Sequence, residues 1–234
     1  MIRALVRGLG ELLITAGLLL LLFVAWQLWW TDVQAGRESG SITADLRGTW
    51  SDGDAPAPAG SGSRPEAGEP PSVTPPAEGE SFGLVHVPRF GDDYVVPLTE
   101  GIGLEDVLNK GVLGHYPGTA GPGAVGNFSV AGHRVTYGRP LHLIAELRPG
   151  DPIVVETEDA WYVYRVREAQ IVTPDRVDVV APVPNEPDAE PTERLMTLTA
   201  CHPMYSARER YIVHAVLDTW QPRDAGEPDA LAAG

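Results

Sequence analysis

The sequence predicts an all-β domain, a closed or nearly closed barrel with short helices, set behind a membrane-spanning helix and an extended tether. Three observations carry this. Between Phe82 and about Trp220, short β-rich runs recur between Gly- and Pro-bearing turns, which is the spacing of small barrels and sandwiches. Residues 12–30, "LLITAGLLLLLFVAWQLWW", are 19 positions without a charge. Residues 51–80 are rich in Pro, Gly, Ala and Glu and nearly empty of large apolar side chains.

The apolar run is close to the roughly 20 residues that a helix needs to cross a bilayer. Trp26, Trp29 and Trp30 stand at its far end, where amphipathic rings favour the interface. Arg3 and Arg7 precede it and Asp32 follows. The positive-inside bias therefore leaves residues 1–11 in the cytoplasm and sends the rest outside. A cleaved signal peptide ending at "VQA" (33–35) is the competing reading, but the run is longer than the usual ~7–15-residue apolar region. Residues 31–80 read as a disordered linker, because they cannot bury enough surface to offset their ordering entropy.

The folded domain is expected at 81–221, with a tail at 222–234. "FGLVHVP" and "DDYVVPL" are the first strands, and "GLEDVLNKG" reads as a short helix stopped by Gly111. "AVGNFSVAGHR" is a strand, and "PLHLIAEL" is a helical turn or two before the "RPGD" turn. "PIVVETEDAWYVYRVREAQIV" is a hairpin across "EDA", and "RLMTLTAC" and "RYIVHAVL" are the last two strands, joined by "HPMYSARE". Residues 173–193 form a long Pro- and acid-rich connection of the kind that is functional or mobile. Pairing should be mainly antiparallel, and composition alone leaves barrel and sandwich open.

The net charge of −15 argues against a nucleic-acid partner, which needs clustered Lys and Arg. A single cysteine, Cys201, excludes an internal disulfide and a multi-thiolate metal site. That thiol can be a small buried hydrophobe, a ligand or a nucleophile. Outside the cell a free thiol is protected or used. His133 stands where a strand gives way to a Gly/Pro-bounded loop, and an imidazole can both favour a thiolate and return a proton to a leaving amine. Arg210 heads the strand after the Cys201 loop and could stabilise an oxyanion, although Arg208 competes for that part on sequence grounds. Cys201, His202 and His133 could meet around zinc, but no metal-binding spacing supports it, and no metal or cofactor is expected.

"TLTAC" with Arg nine positions on, and "NFSVAGHR" about seventy residues earlier, resembles the sortase transpeptidases. "GHYPGTAGPGAVGNFSVAGHR" and "CHPMYSARERYIVHAVL" resemble the class E, actinobacterial branch, and the likeness covers roughly residues 82–220. The resemblance implies an eight-stranded sortase-type barrel with Cys201 as nucleophile, His133 as general acid/base and Arg210 as oxyanion or substrate clamp. It implies cleavage of a Leu-Pro-x-Thr-Gly-like motif, with Ala preferred at the second place, in secreted proteins that carry this C-terminal sorting motif. The acceptor would be an amine of lipid II or peptidoglycan. Tyr116 matches a tyrosine linked to the Ala preference, and Thr197, Thr199, Ala200 and His202 are expected beside the substrate. The family usually has Thr before the cysteine, so Ala200 predicts a missing hydroxyl near the reacting carbonyl. A peptidase that only hydrolyses, or a silent barrel that binds wall peptides, are the other readings.

Overall fold

A computed structural model of the chain describes residues 2–52 and 68–232. Eight strands close a barrel: β1 (Ser81–His86), β2 (Val95–Glu100), β3 (Leu113–His115), β4 (Gly126–Ala131), β5 (Pro152–Glu156), β6 (Ala160–Val172), β7 (Arg194–His202) and β8 (Glu209–Pro222). Their order around the barrel is β1-β2-β3-β4-β7-β8-β6-β5. Pairing is antiparallel except for β2 with β3 and β4 with β7.

Strand periodicity decides which side chains meet the interior. On β7, Met196, Leu198 and Ala200 face the core, as do Phe128 and Val130 on β4. Tyr162 and Tyr164 fill the barrel with their hydroxyls satisfied: Tyr162 donates to the Pro71 carbonyl at 2.8 Å and Tyr164 accepts from Gly123 N at 2.9 Å. The alternate residues Thr197, Thr199 and Cys201 thus belong to the outer face, together with Asn127 and Ser129.

Several expectations are revised. β3 was not legible; its three residues owe their place to pairing with both β2 and β4. Gly114 belongs there because a Cβ would come within 2.3 Å of the Gly101 carbonyl oxygen. "GLEDVLNKG" forms only a 3-10 turn at Leu108–Lys110, closed by Gly111 in the left-handed region (φ 76°). "PLHLIAEL" likewise yields a 3-10 turn, Ile144–Glu146. The 173–193 connection is pinned to the outer face of the sheet: Asn127 Nδ2 donates to the Ala181 carbonyl at 3.0 Å, and Val179 packs with Val172 and Ile212.

The linker expected over 31–80 differs most. A single helix, α1, runs over Ile2–Asp52. Its first part is long and apolar enough to cross a membrane, and its apolar side chains are exposed. Beyond the apolar run, Ala35, Ile42 and Trp50 recur at helical spacing on one face. Ala35 and Trp50 are buried, and Ile42 packs against Val107, Leu108 and Val112. The packing compensates for glycines at 36, 40 and 48 that weaken local helix propensity. Residues 68–80 lie along the barrel, with Trp220 Nε1 donating to the Gly68 carbonyl, Arg194 paired with Glu69, and Val73 N donating to the Pro122 carbonyl. The rest of that expected linker, 53–67, falls outside the described residues. A short helix, α2 (Asp229–Ala232), lies in the tail.

Candidate active site

The parallel pairing of β4 with β7 brings two sequence-distant groups together. Its register matches Ala131 with Thr199. Two residues further along each strand stand His133 and Cys201, so both emerge at the same end of the barrel. Cys201 is a half-buried free thiol. It lines one cavity of about 540 Å³ with His133, Arg134, Val135, Thr136, Tyr205, Ser206, Ala207 and Asp32 of α1. A cavity of similar size, about 550 Å³, lies between Pro88, Arg89, Asp151 and Arg165. It holds no nucleophile, and its Arg89–Asp151 pair is already closed at 2.7 Å.

His133 is held on one side by Asn109, whose Oδ1 lies 2.9 Å from Nε2. An amide oxygen can only accept, so Nε2 carries the hydrogen and Nδ1 is the basic nitrogen. The ring rests against Tyr137, with centroids 5.2 Å apart. Burial lowers the pKa of His133 from its ordinary value, so at pH 7 the imidazole is mainly neutral and ready to accept a proton.

Arg210 is the register partner of Cys201 across β7 and β8. Its Nη1 donates to the Ala207 and Glu209 carbonyls, each at 3.0 Å, so the head turns into the β7–β8 loop. The arginine among the residues that line the cavity is Arg134. Its Nη1 lies 2.7 Å from His202 Nδ1 and 3.4 Å from the Cys201 carbonyl oxygen, and its charge sits 5.6 Å from the centre of the Tyr211 ring. Arg134 Nε is buried and has no partner among the described residues.

Of the expected substrate residues, Tyr116 and Thr199 are joined by a 2.9 Å hydrogen bond between their hydroxyls on the outer face leading to Cys201. His202 is engaged by Arg134. Thr197 is not directed to the cavity: it is fully buried, donates to Asn127 Oδ1 at 2.8 Å and meets His214 Nδ1 at 2.9 Å. Ala200 is not directed there either. It is 3% exposed and packs in the barrel core, because it falls on the opposite parity from Cys201. Sequence reasoning overlooked Arg134, which adjoins His133, and also Asn109 and Tyr137. Nothing in the sequence marks Asn109, which reaches His133 only through the fold.

The sortase domain family model matches residues 85–218. Sortase SrtE1 of Streptomyces coelicolor is 40% identical over 233 residues, covering 97% of this chain, which spans 61% of that relative's length. Among solved structures, the SrtA sortase from Actinomyces oris is similar, with a TM-score of 0.68 and 40% identity over 71% of this chain and 96% of that one. Sortase E1 from Streptomyces coelicolor, solved with a tripeptide in the active site, gives a TM-score of 0.61 and 43% identity over 66% of this chain and 99% of that one.

Proposed function

The chain belongs to the sortase family, and on that premise we propose that it is a membrane-anchored cysteine transpeptidase acting outside the cell. Its donor is a protein bearing a Leu-Ala/Pro-x-Thr-Gly motif, cut between Thr and Gly. Its acceptor is an amine of lipid II or peptidoglycan. The observation that carries this reading is the convergence of Cys201 and His133 on one cavity at the aligned ends of β4 and β7.

The steps follow from the groups present. Cys201 Sγ attacks the Thr carbonyl carbon while its proton passes to His133 Nδ1. Arg210, released from the Ala207 and Glu209 carbonyls, faces the oxyanion with donors that stay protonated. The C–N bond breaks, the Gly amine takes the proton from His133, and a thioester remains on Cys201. An incoming amine attacks that thioester, gives its proton to His133, and displaces the sulfur, which regains a proton. Splitting the exchange into two acyl transfers is what a covalent nucleophile contributes. Tyr116, fixed by Thr199, lines the approach of the motif. The apolar part of α1, with Arg3 and Arg7 before it and tryptophans after it, supports a single-pass anchor with the barrel outside.

Cleavage of a Leu-Ala-x-Thr-Gly peptide is expected to vanish in Cys201→Ala and His133→Ala. With an amine acceptor added, product should partition to the amide. Hydrolysis alone would instead identify a peptidase, and retention of cleavage by either variant would overturn the assignment.

A further inference from the structure

We infer that the part of α1 following the apolar run, residues 31–50, is a working element of the catalytic site: it holds the two side chains, Asn109 and Tyr137, that hold His133. The inference rests on the transpeptidase reading above and adds to it a positioning device outside the barrel.

Two routes lead from the helix to the imidazole. The first passes through the 3-10 turn Leu108–Lys110. Ile42 packs on Val107, Leu108 and Val112, and Ala35 sits so close to Gly111 that a Cβ on that glycine would lie 3.0 Å from the Ala35 carbonyl oxygen. Asn109, inside this turn, points its Oδ1 at His133 Nε2. The second passes through the turn after His133. Asp32 Oδ1 accepts from Gly138 N at 3.1 Å, and its other oxygen meets Arg139 Nε at 3.3 Å. That turn holds Tyr137 at φ 54° and Arg139 at φ 52°. Non-glycine residues stay in this region only where their surroundings dictate it. The Tyr137 ring then backs the imidazole.

The geometry matters because acyl transfer through a Cys–His pair needs one tautomer in one orientation. The same helix is anchored again at its far end by Trp50, which is buried beneath Arg223 at 5.1 Å. Asp32 stands two residues past Trp30, so this wall of the cavity sits where the chain leaves the apolar span. Misplacement of a catalytic group by about 1 Å can cost on the order of a hundredfold in rate.

The test uses the full-length protein in lipid nanodiscs, with Ala35→Arg to wedge the helix off Gly111 and Asp32→Ala as a milder variant. Two readouts are followed: kcat and KM for Leu-Ala-x-Thr-Gly cleavage, and the ¹⁵N shifts of the His133 ring. Both variants are expected to lose kcat, by about tenfold or more for Ala35→Arg, with KM little changed. The His133 nitrogens should move toward a mixture of tautomers. Asn109→Ala should give the same pair of changes, and Asn109→Asp, which keeps an acceptor, should recover most of the loss. Should Ala35→Arg fail to fold, Asp32→Ala decides alone. Unchanged kcat and ring shifts in Asp32→Ala would overturn the inference, as would a rise in KM alone. A wild-type protein without cleavage would count against the transpeptidase reading, while the ring shifts would still test the helix.

Discussion

Replacing Arg134 with Met separates its part in folding from its part in catalysis. Met keeps much of the buried stem and removes the guanidinium. The bond from Nη1 to His202 Nδ1, at 2.7 Å, has a charged donor and contributes about 1.5–3 kcal/mol. The placement over Tyr211, at 5.6 Å, adds about 0.5–1 kcal/mol. Against that loss of roughly 2–4 kcal/mol, the change also removes the buried Nε that lacks a partner, recovering about 1–3 kcal/mol. The net destabilisation is about 1 kcal/mol, a fall in Tm of about 2–4 °C by calorimetry. Activity should fall further than stability. Arg134 follows His133 in the chain and ties that segment to His202 and the Cys201 carbonyl, so its loss loosens Cys201 from His133, the proposed nucleophile and base. A drop in kcat/KM of at least about tenfold, equivalent to about 1.4 kcal/mol, is expected for peptide cleavage. Unchanged kcat/KM beside the small fall in Tm would refute this reasoning, and so would a Tm loss large enough to account for the activity.

The remaining outcomes are checked by titration and stability. Because burial lowers the pKa of His133 and in the proposed mechanism the neutral ring takes the thiol proton, the acid limb of kcat/KM should have its midpoint below about 6.5, the ordinary value for histidine; a midpoint above it would contradict the assignment. His214, 4% exposed, accepts from Gln170 Nε2 at its own Nε2 and faces Thr197 Oγ1 through Nδ1, so protonation would set two donors against each other. Its pKa is lowered, chiefly by burial, with Glu168 opposing. The unfolded chain then binds more protons between the lowered folded value and about 6.5, and stability contributed above that window is lost as pH falls through it. Thermal unfolding between pH 7.5 and 5 should show this loss, reduced in His214→Gln. Ala200→Thr puts a branched, polar side chain into the packed core, and should cost about 1–3 kcal/mol of stability in thermal unfolding, with kcat little changed.

What could be read from the sequence and what could not divide along physical lines. Alternation on "RLMTLTAC" and the β-rich runs are local signals that mark the last strands, and Cys201 stands out as the single cysteine of the sequence. The proposed partnership of Cys201 with His133 has only a weak local signal, the place of His133 where a strand gives way to a loop, since it depends on the parallel register of β4 with β7, a pairing that no local pattern encodes. β3 is too short to show a period. Parity removes Ala200 from the site, since a strand sends the neighbour of Cys201 to the opposite face, whereas Thr197 shares the parity of Cys201 but is spent on Asn127 and His214. The Ala35–Ile42–Trp50 stripe was present in the sequence but diluted by glycine and charge, and its partner surface around Leu108 and Val112 exists only once the barrel has closed. Asn109 had no sequence signal at all.

The central claim is that Cys201 forms a thioester with the substrate and surrenders it to an amine. Intact-mass and peptide-mapping spectrometry of the full-length protein, quenched during turnover of a Leu-Ala-x-Thr-Gly peptide, tests it. The acyl fragment ending in Thr should appear on Cys201 and disappear on addition of an amine acceptor, with the matching amide released. Turnover without any adduct at Cys201, or an adduct that persists in Cys201→Ala, would contradict it.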